Sequence, residues 1–154
     1  MNRLRLCLGT MITAAVLLLC AGAMAEIRIN EVMASNGVYQ DGHAYDWAEL
    51  YNDGAEVSLA GWYLSNDPYQ PYKWAFPSDT KIAENGYLIV YCAGEGKEPM
   101  TDALCTNFKL SADGDTLCLT SPGGESTVLS FGAQFGNVSY GVPAGGDTWL
   151  YLET

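Results

Sequence analysis

After residue 25 the apolar residues of this chain recur at every second position, in short bursts punctuated by turn-forming residues. No stretch there sustains the 3.6-residue period of a helix. Such a pattern fits strands with one buried and one wet face. The bursts fall at 27–32, 47–51, 59–64, 74–77, 87–92, 106–110, 116–120, 127–131 and, last, 138–141. Asn52-Asp53-Gly54, Asn85-Gly86, Asp113-Gly114-Asp115 and Pro122-Gly123-Gly124 supply turn chemistry between them. Seven to nine short strands rich in Tyr, Trp, Val and Leu predict an all-β fold, an antiparallel sandwich. No internal repeat, linker or low-complexity tract interrupts it.

The first 25 residues read differently. Arg3 and Arg5 precede an uncharged apolar run from Met11 to Ala23, and Ala23-Met24-Ala25 is a small-x-small cleavage site before Glu26. The run is short for a membrane span, so a signal peptide over 1–25 and a mature domain over 26–154 are expected, with a secreted or cell-surface destination. Cys20 does not suit lipidation, because Leu19 stands where such signals carry a small residue.

Removing the leader takes two of seven basic residues and none of the 18 acidic ones, so the remainder is more acidic than the whole chain's −11. Such a surface repels phosphate backbones and anionic lipid heads, which excludes nucleic acids and charge-driven membrane binding as partners. The remaining length buries roughly two-thirds of its surface, enough for one independent core.

Catalytic motifs are scarce. His43 is the only histidine, and Asn137-Val138-Ser139-Tyr140-Gly141 misses the nucleophile-elbow spacing because Gly136 sits one position too early. Gly94-Glu95-Gly96-Lys97 lacks both the dinucleotide and the P-loop pattern. No cysteine pair has zinc spacing. Asp113-Gly114-Asp115 and the stretch Asp41 to Asp46 offer oxygen ligands for a structural calcium, but tight turns need the same residues, and no cofactor is expected. Glu31 and Glu49 lie within strand-like bursts. They are either a carboxylate pair able to flank a glycosidic bond or structural acceptors for backbone amides. A small sandwich seldom builds the deep cleft that the first role needs. Cys92, Cys105 and Cys118 make an odd set for an exported chain. A Cys92–Cys105 bridge is one possibility, and reduced, partly buried thiols are the expected alternative.

Trp47, Trp62, Trp74 and Trp149, with ten tyrosines, either fill the core and cover sheet faces or form a sugar-stacking surface. Tyr39, Tyr45, Tyr69 and Tyr72 lie away from the bursts and are the binding candidates.

The motifs Ile29-Asn30-Glu31-Val32-Met33-Ala34-Ser35-Asn36, Asp46-Trp47-Ala48-Glu49-Leu50-Tyr51-Asn52 and Leu59-Ala60-Gly61-Trp62-Tyr63-Leu64-Ser65 come in one order with Trp74-Ala75-Phe76-Pro77. Thr106-Asn107-Phe108-Lys109-Leu110-Ser111, Gly114-Asp115-Thr116-Leu117 and Val138-Ser139-Tyr140-Gly141 follow. Together they resemble the lamin tail domain family over about residues 27–149. The resemblance implies an immunoglobulin-like β-sandwich without catalytic residues of its own. In bacterial relatives it also implies an accessory module on exported proteins, often beside hydrolase, nuclease or spore-coat kinase-like domains. Many bacterial members carry histidine at the position of Cys105, so no role transfers there. Members also tend to continue into a proline- and glycine-containing turn after the last Trp segment. Here Trp149-Leu150-Tyr151-Leu152-Glu153-Thr154 stops, which reads as the N-terminal portion of a longer protein or a truncated reading frame.

The expected function is therefore an exported, non-catalytic interaction module making protein or cell-envelope contacts, as an accessory to a larger or partner surface protein. Residues 35–45 and 66–73, rich in Tyr and Asp, are expected to form part of its contact surface. The alternatives are a carbohydrate-binding module that uses exposed aromatics on polysaccharide and, further off, a glycan hydrolase using Glu31 and Glu49.

Overall fold

The computed structural model describes residues 27–97 and 100–153, so the expected leader lies outside the described residues. The described chain is all-β: β1 (Ile27–Met33), β2 (Asp46–Asn52), β3 (Val57–Ser58), β4 (Tyr63–Ser65), β5 (Trp74–Ala75), β6 (Lys81–Ile82), β7 (Tyr87–Cys92), β8 (Leu104–Cys105), β9 (Asp115–Thr120), β10 (Ser126–Phe131), β11 (Val138–Gly141) and β12 (Leu150–Glu153). They form a six-stranded sheet, β12-β11-β1-β2-β7-β8, a four-stranded sheet, β10-β9-β4-β5, and a small ribbon, β3-β6.

The immunoglobulin-like sandwich expected from the sequence is present. Eight strands have three or more residues, and the other four are two-residue bridges too short to alternate visibly. Three details differ from the sequence reading. Only Tyr63–Ser65 of the 59–65 segment is a strand, because Gly61 at φ +77° turns the chain before it. The burst expected at 106–110 forms no strand; the strand there is Leu104–Cys105, just before it, and it runs parallel to β7, with Val90 opposite Leu104 and Tyr91 opposite Cys105. β12 was not among the expected bursts. It pairs with β11 from Val138–Glu153 to Gly141–Leu150 and sits at the sheet edge.

The core lies between the sheets. Val32, Ala48, Leu50, Val90, Leu64 and Leu117 are fully buried, drawn from alternate positions of the long strands. The alternation is broken once, in β1. Ile27 and Ile29 face the core, and strict period two would send Glu31 in after them. Instead the β1–β2 register slips between Ile29–Leu50 and Glu31–Glu49. Asn30 is the extra residue of a β-bulge, so Val32 points inward and Glu31 outward. The buried Asn30 is tied on both sides: its carbonyl accepts from Val142 N–H at 2.9 Å, and its Nδ2 donates to Glu49 Oε1 at 2.9 Å and to the Val142 carbonyl at 3.4 Å. Gly141 lies opposite Glu31, and a Cβ there would stand 2.9 Å from the Asn30 carbonyl oxygen and 2.8 Å from Glu31 Cβ. Only glycine lets β11 pair this closely.

At the other end of β2, Asn52 is fully buried. Its Nδ2 donates to the carbonyls of Ala55 (2.8 Å), Ala83 (3.0 Å) and Ile82 (3.3 Å), and its Oδ1 accepts from Gly54 N–H at 3.1 Å. One amide thus joins the turn after β2 to the β6 end of the small ribbon. Replacing it strands buried backbone groups. Asn52→Ala is expected to cost about 2–4 kcal/mol in urea unfolding. A loss below about 0.5 kcal/mol would show that water replaces the amide.

Candidate functional site

The loop between β1 and β2 is built by side-chain amides. Asn36 Nδ2 donates to the Tyr45 carbonyl at 2.8 Å and Asn36 Oδ1 accepts from Val38 N–H at 3.0 Å, closing the loop on itself. Asp41 (φ +49°) and Gly42 (φ +79°) form its tip turn, over which Gln40 and His43 exchange backbone hydrogen bonds of 2.8 and 2.9 Å. Asn137 Oδ1 accepts from Gly37 N–H, and Asn137 N–H donates to the Ser35 carbonyl at 2.9 Å, tying the loop to the 132–137 segment. Tyr91 O–H donates to Gln40 Oε1 at 2.7 Å, pinning the tip to β7.

So held, the loop overhangs the outer face of the six-stranded sheet and leaves a groove of about 320 Å³. Met33, Trp47, Ile89 and Tyr91 form its floor, and Asn36, Val38, Tyr39, Gln40 and His43 its wall. None carries a formal charge, within a chain of net charge −11. Burial raises the Tyr91 phenol above its ordinary pKa, with Cys105 and Asp41 adding to the rise and the Gln40 hydrogen bond opposing it. Asp46, at the base of the loop, is also raised by burial, against the Asn36 N–H and the charge of Lys109. A second, open depression of about 490 Å³ adjoins the groove. Tyr39, His43, Tyr45, Lys97 and Lys109 are among its lining residues. Tyr39 and His43 therefore stand between the two, with His43 stacked on Tyr45 at 4.8 Å.

The four tyrosines predicted from sequence do not share one surface. Tyr39, 76% exposed, and Tyr45 belong to the loop over the six-stranded sheet. Tyr69, 93% exposed, and Tyr72 belong to the loop between β4 and β5. Tyr72 meets Tyr63 edge-on at 5.1 Å. Because Leu64 faces the core, Tyr63 faces outward, and this second loop lies on the outer side of the opposite sheet. Of the floor residues, the sequence names Trp47 only among the aromatics that fill the core or stack on sugar, and it does not single out Ile89 or Tyr91. Their signal was the alternation of Trp47-Glu49-Tyr51 with the buried Ala48-Leu50-Asn52, which places them on the wet face. Trp62, Trp74 and Trp149 pack against the core instead.

Further along the same outer face, Glu31 and Glu49 stand directly opposite each other across β1 and β2 and border an open depression of about 340 Å³ with Tyr87, Val142 and Leu152. The structure brings the two together. Glu49 Oε1, however, is held by Asn30, and the depression is a dish on a sheet face. Ser139 is fully buried, with its hydroxyl on the Leu152 carbonyl at 3.4 Å. The aspartates considered for calcium are engaged in turns: Asp115 accepts from the N–H groups of Ser111 (3.1 Å) and Thr116 (2.8 Å), and Asp46 from that of Asn36 (3.5 Å). Among the described residues no group of three or more His, Cys, Asp or Glu side chains is placed to hold a metal ion. Cys92, Cys105 and Cys118 are free thiols. Cys105 is level with Tyr91 on the parallel pair, whereas Cys92, one residue on, points into the core beside Thr106, so the two sulfurs project to opposite sheet faces. Burial pushes the Cys92 thiol far up.

Burial, and then the neighbouring Glu31 charge, raise the Glu49 pKa above 4.5, with the Asn30 hydrogen bond opposing. Between 4.5 and the raised value the folded chain therefore holds a proton that the unfolded chain releases. The Glu49 contribution to stability then falls as pH rises through that window. Glu49→Gln keeps the acceptor for Asn30 and removes the charge. It is expected to be at least as stable as the parent at pH 7 and to flatten stability against pH above 4.5. Thermal unfolding across pH checks this, and a less stable variant at neutral pH overturns it.

Comparison with known proteins agrees with this architecture. Residues 21–134 match the family model of the Lamin Tail Domain, well over half of the chain. No curated protein matches the sequence. The matched region includes the bulged β1, the overhanging loop, the whole four-stranded sheet and β2, β7 and β8 of the six-stranded one, while β11 and β12 follow it. The chain belongs to the lamin tail domain family, a non-catalytic immunoglobulin-like interaction domain.

Proposed function

We propose that this chain is an exported, non-catalytic interaction module that attaches itself, or a surface protein it serves, to a protein or cell-envelope component. In this reading residues 1–25 are a removed leader, 26–154 are the working module, and neither metal nor cofactor takes part. The observation that carries the reading is the groove under the 34–45 loop. It is an uncharged, aromatic-lined concavity on a strongly acidic chain, with its wall fastened by the Asn36, Asn137 and Gln40 hydrogen bonds. Fastening matters because a preorganised wall loses little conformational freedom when a partner docks. The acidic remainder repels anionic polymers, so selection falls to this uncharged patch. The family match supports a binding role over catalysis.

Tyr39 and Tyr45 are the contact residues of this face, and Tyr69 and Tyr72 form a separate patch on the other. The test uses the full-length chain expressed with its leader in the producing cells, with envelope retention measured after washing. Tyr39→Ala with Tyr45→Ala is expected to release most of the protein into the medium, and Tyr69→Ala with Tyr72→Ala to change retention little. Retention unchanged by all four replacements removes these tyrosines from the contact surface, and release by the second pair alone moves it to the opposite sheet.

A further inference from the structure

We infer that the outer face of the six-stranded sheet is a binding platform for a neutral glycan chain. The inference rests on the interaction-module reading and names its ligand class. The groove is only one end of a longer feature. Trp47 is opposite Tyr91, and Tyr51 is opposite Tyr87, on the wet face of β2 and β7. Four aromatic side chains thus form two cross-strand pairs, separated along β2 by roughly 13 Å. Between them sit Glu49 and Ile89 as the intervening pair, with Glu31 opposite Glu49 on β1.

The chemistry along this strip alternates in a particular way. Each tyrosine joins an apolar ring to a hydroxyl. Trp47 adds an indole N–H that donates to no described residue. Gln40 keeps its amide N–H groups on the wall, since Tyr91 occupies only its oxygen. Glu31 and Glu49 add acceptors in the middle of the strip. A pyranose ring has the matching construction, an apolar C–H face surrounded by hydroxyls that both donate and accept. An apolar protein segment would instead leave these carboxylates facing an uncharged surface, at a desolvation cost. Arg28, opposite Tyr51, covers that ring at 4.6 Å and pairs with Asp53 at 4.0 Å, so Tyr87 is the open ring of its pair. An anionic glycan still meets the net charge of the chain and the Glu31–Glu49 pair. Neutral sugar is the class that satisfies both ring faces and polar edges.

Retardation in native gels containing a soluble neutral glucan, mannan or xylan tests this with the purified full chain, and intrinsic tryptophan fluorescence provides a second readout. Trp47 is the indole in the groove, whereas the other three pack against the core, so its response reports occupancy. At least one neutral polymer is expected to retard the protein and shift its emission, and a polyuronate to do neither. Tyr39→Ala and Tyr87→Ala remove rings that are 76% and 50% exposed, so the core stays intact. Each is expected to weaken binding by roughly tenfold, the scale of one lost stacking ring. Trp47→Phe should keep binding and lose the fluorescence response. If no neutral polymer retards a protein that is still retained on the envelope through Tyr39, the glycan assignment is overturned while the module reading stands with a protein partner. If envelope retention does not depend on Tyr39 and no polymer binds, the glycan assignment and the role of this face as contact surface both fall. Retardation unaffected by Tyr39→Ala and Tyr87→Ala also overturns the platform.

Discussion

Everything on the functional face follows from one extra residue in β1. If β1 kept strict alternation, Glu31 would be driven into the core and Val32 into water, at a cost far beyond what a domain of this size withstands. The bulge at Asn30 resets the phase, and the buried Asn30 amide and carbonyl secure it through Glu49 and Val142. Three features depend on that reset. Met33 is placed opposite Trp47 as groove floor, Glu31 is placed opposite Glu49, and Gly141 is the one residue that lets β11 approach the displaced backbone. Bulges next to working surfaces commonly re-aim side chains in this way.

The two ends of the sandwich are held differently. The turns around Asn52 are clamped by a buried amide whose bonds are all internal. At the opposite end, two loops fold outward over opposite sheets. The one carrying Tyr72 closes against Tyr63, and Ser65 and Cys118 on that face are buried. The one carrying Tyr39 stops short and leaves a gap. A closed flap and an open one, on the same scaffold, distinguish the structural face from the candidate binding face more clearly than composition does.

The sequence made the fold legible because period-two bursts and Asn-Gly or Asp-Gly turns are local signals, and the ordered motifs agreed with them. Two-residue bridges such as β3 and β6 carry no period, and β12 was hidden in what looked like a trailing end. The site was legible in part. Tyr39 and Tyr45 were found as loop aromatics, but the floor was not, because a Trp or Tyr within a strand gives no sign of which face a neighbouring loop will cover. That is decided by Asn36 and Asn137, whose side chains bond across sequence separations of up to 100 residues. The Glu31–Glu49 pairing was equally hidden, since it exists only after the bulge has shifted the register.

The fastening of the 34–45 loop has an evolutionary consequence. Its anchors, Asn36, Asn137 and the Tyr91–Gln40 bond, hold its base and tip without entering the hydrophobic core. The residues between those anchors are therefore free to drift, lengthen or exchange while the sandwich beneath folds as before. A lineage carrying this domain can change what it holds by rewriting a handful of codons in one loop, and keep the rest of the gene under ordinary purifying selection.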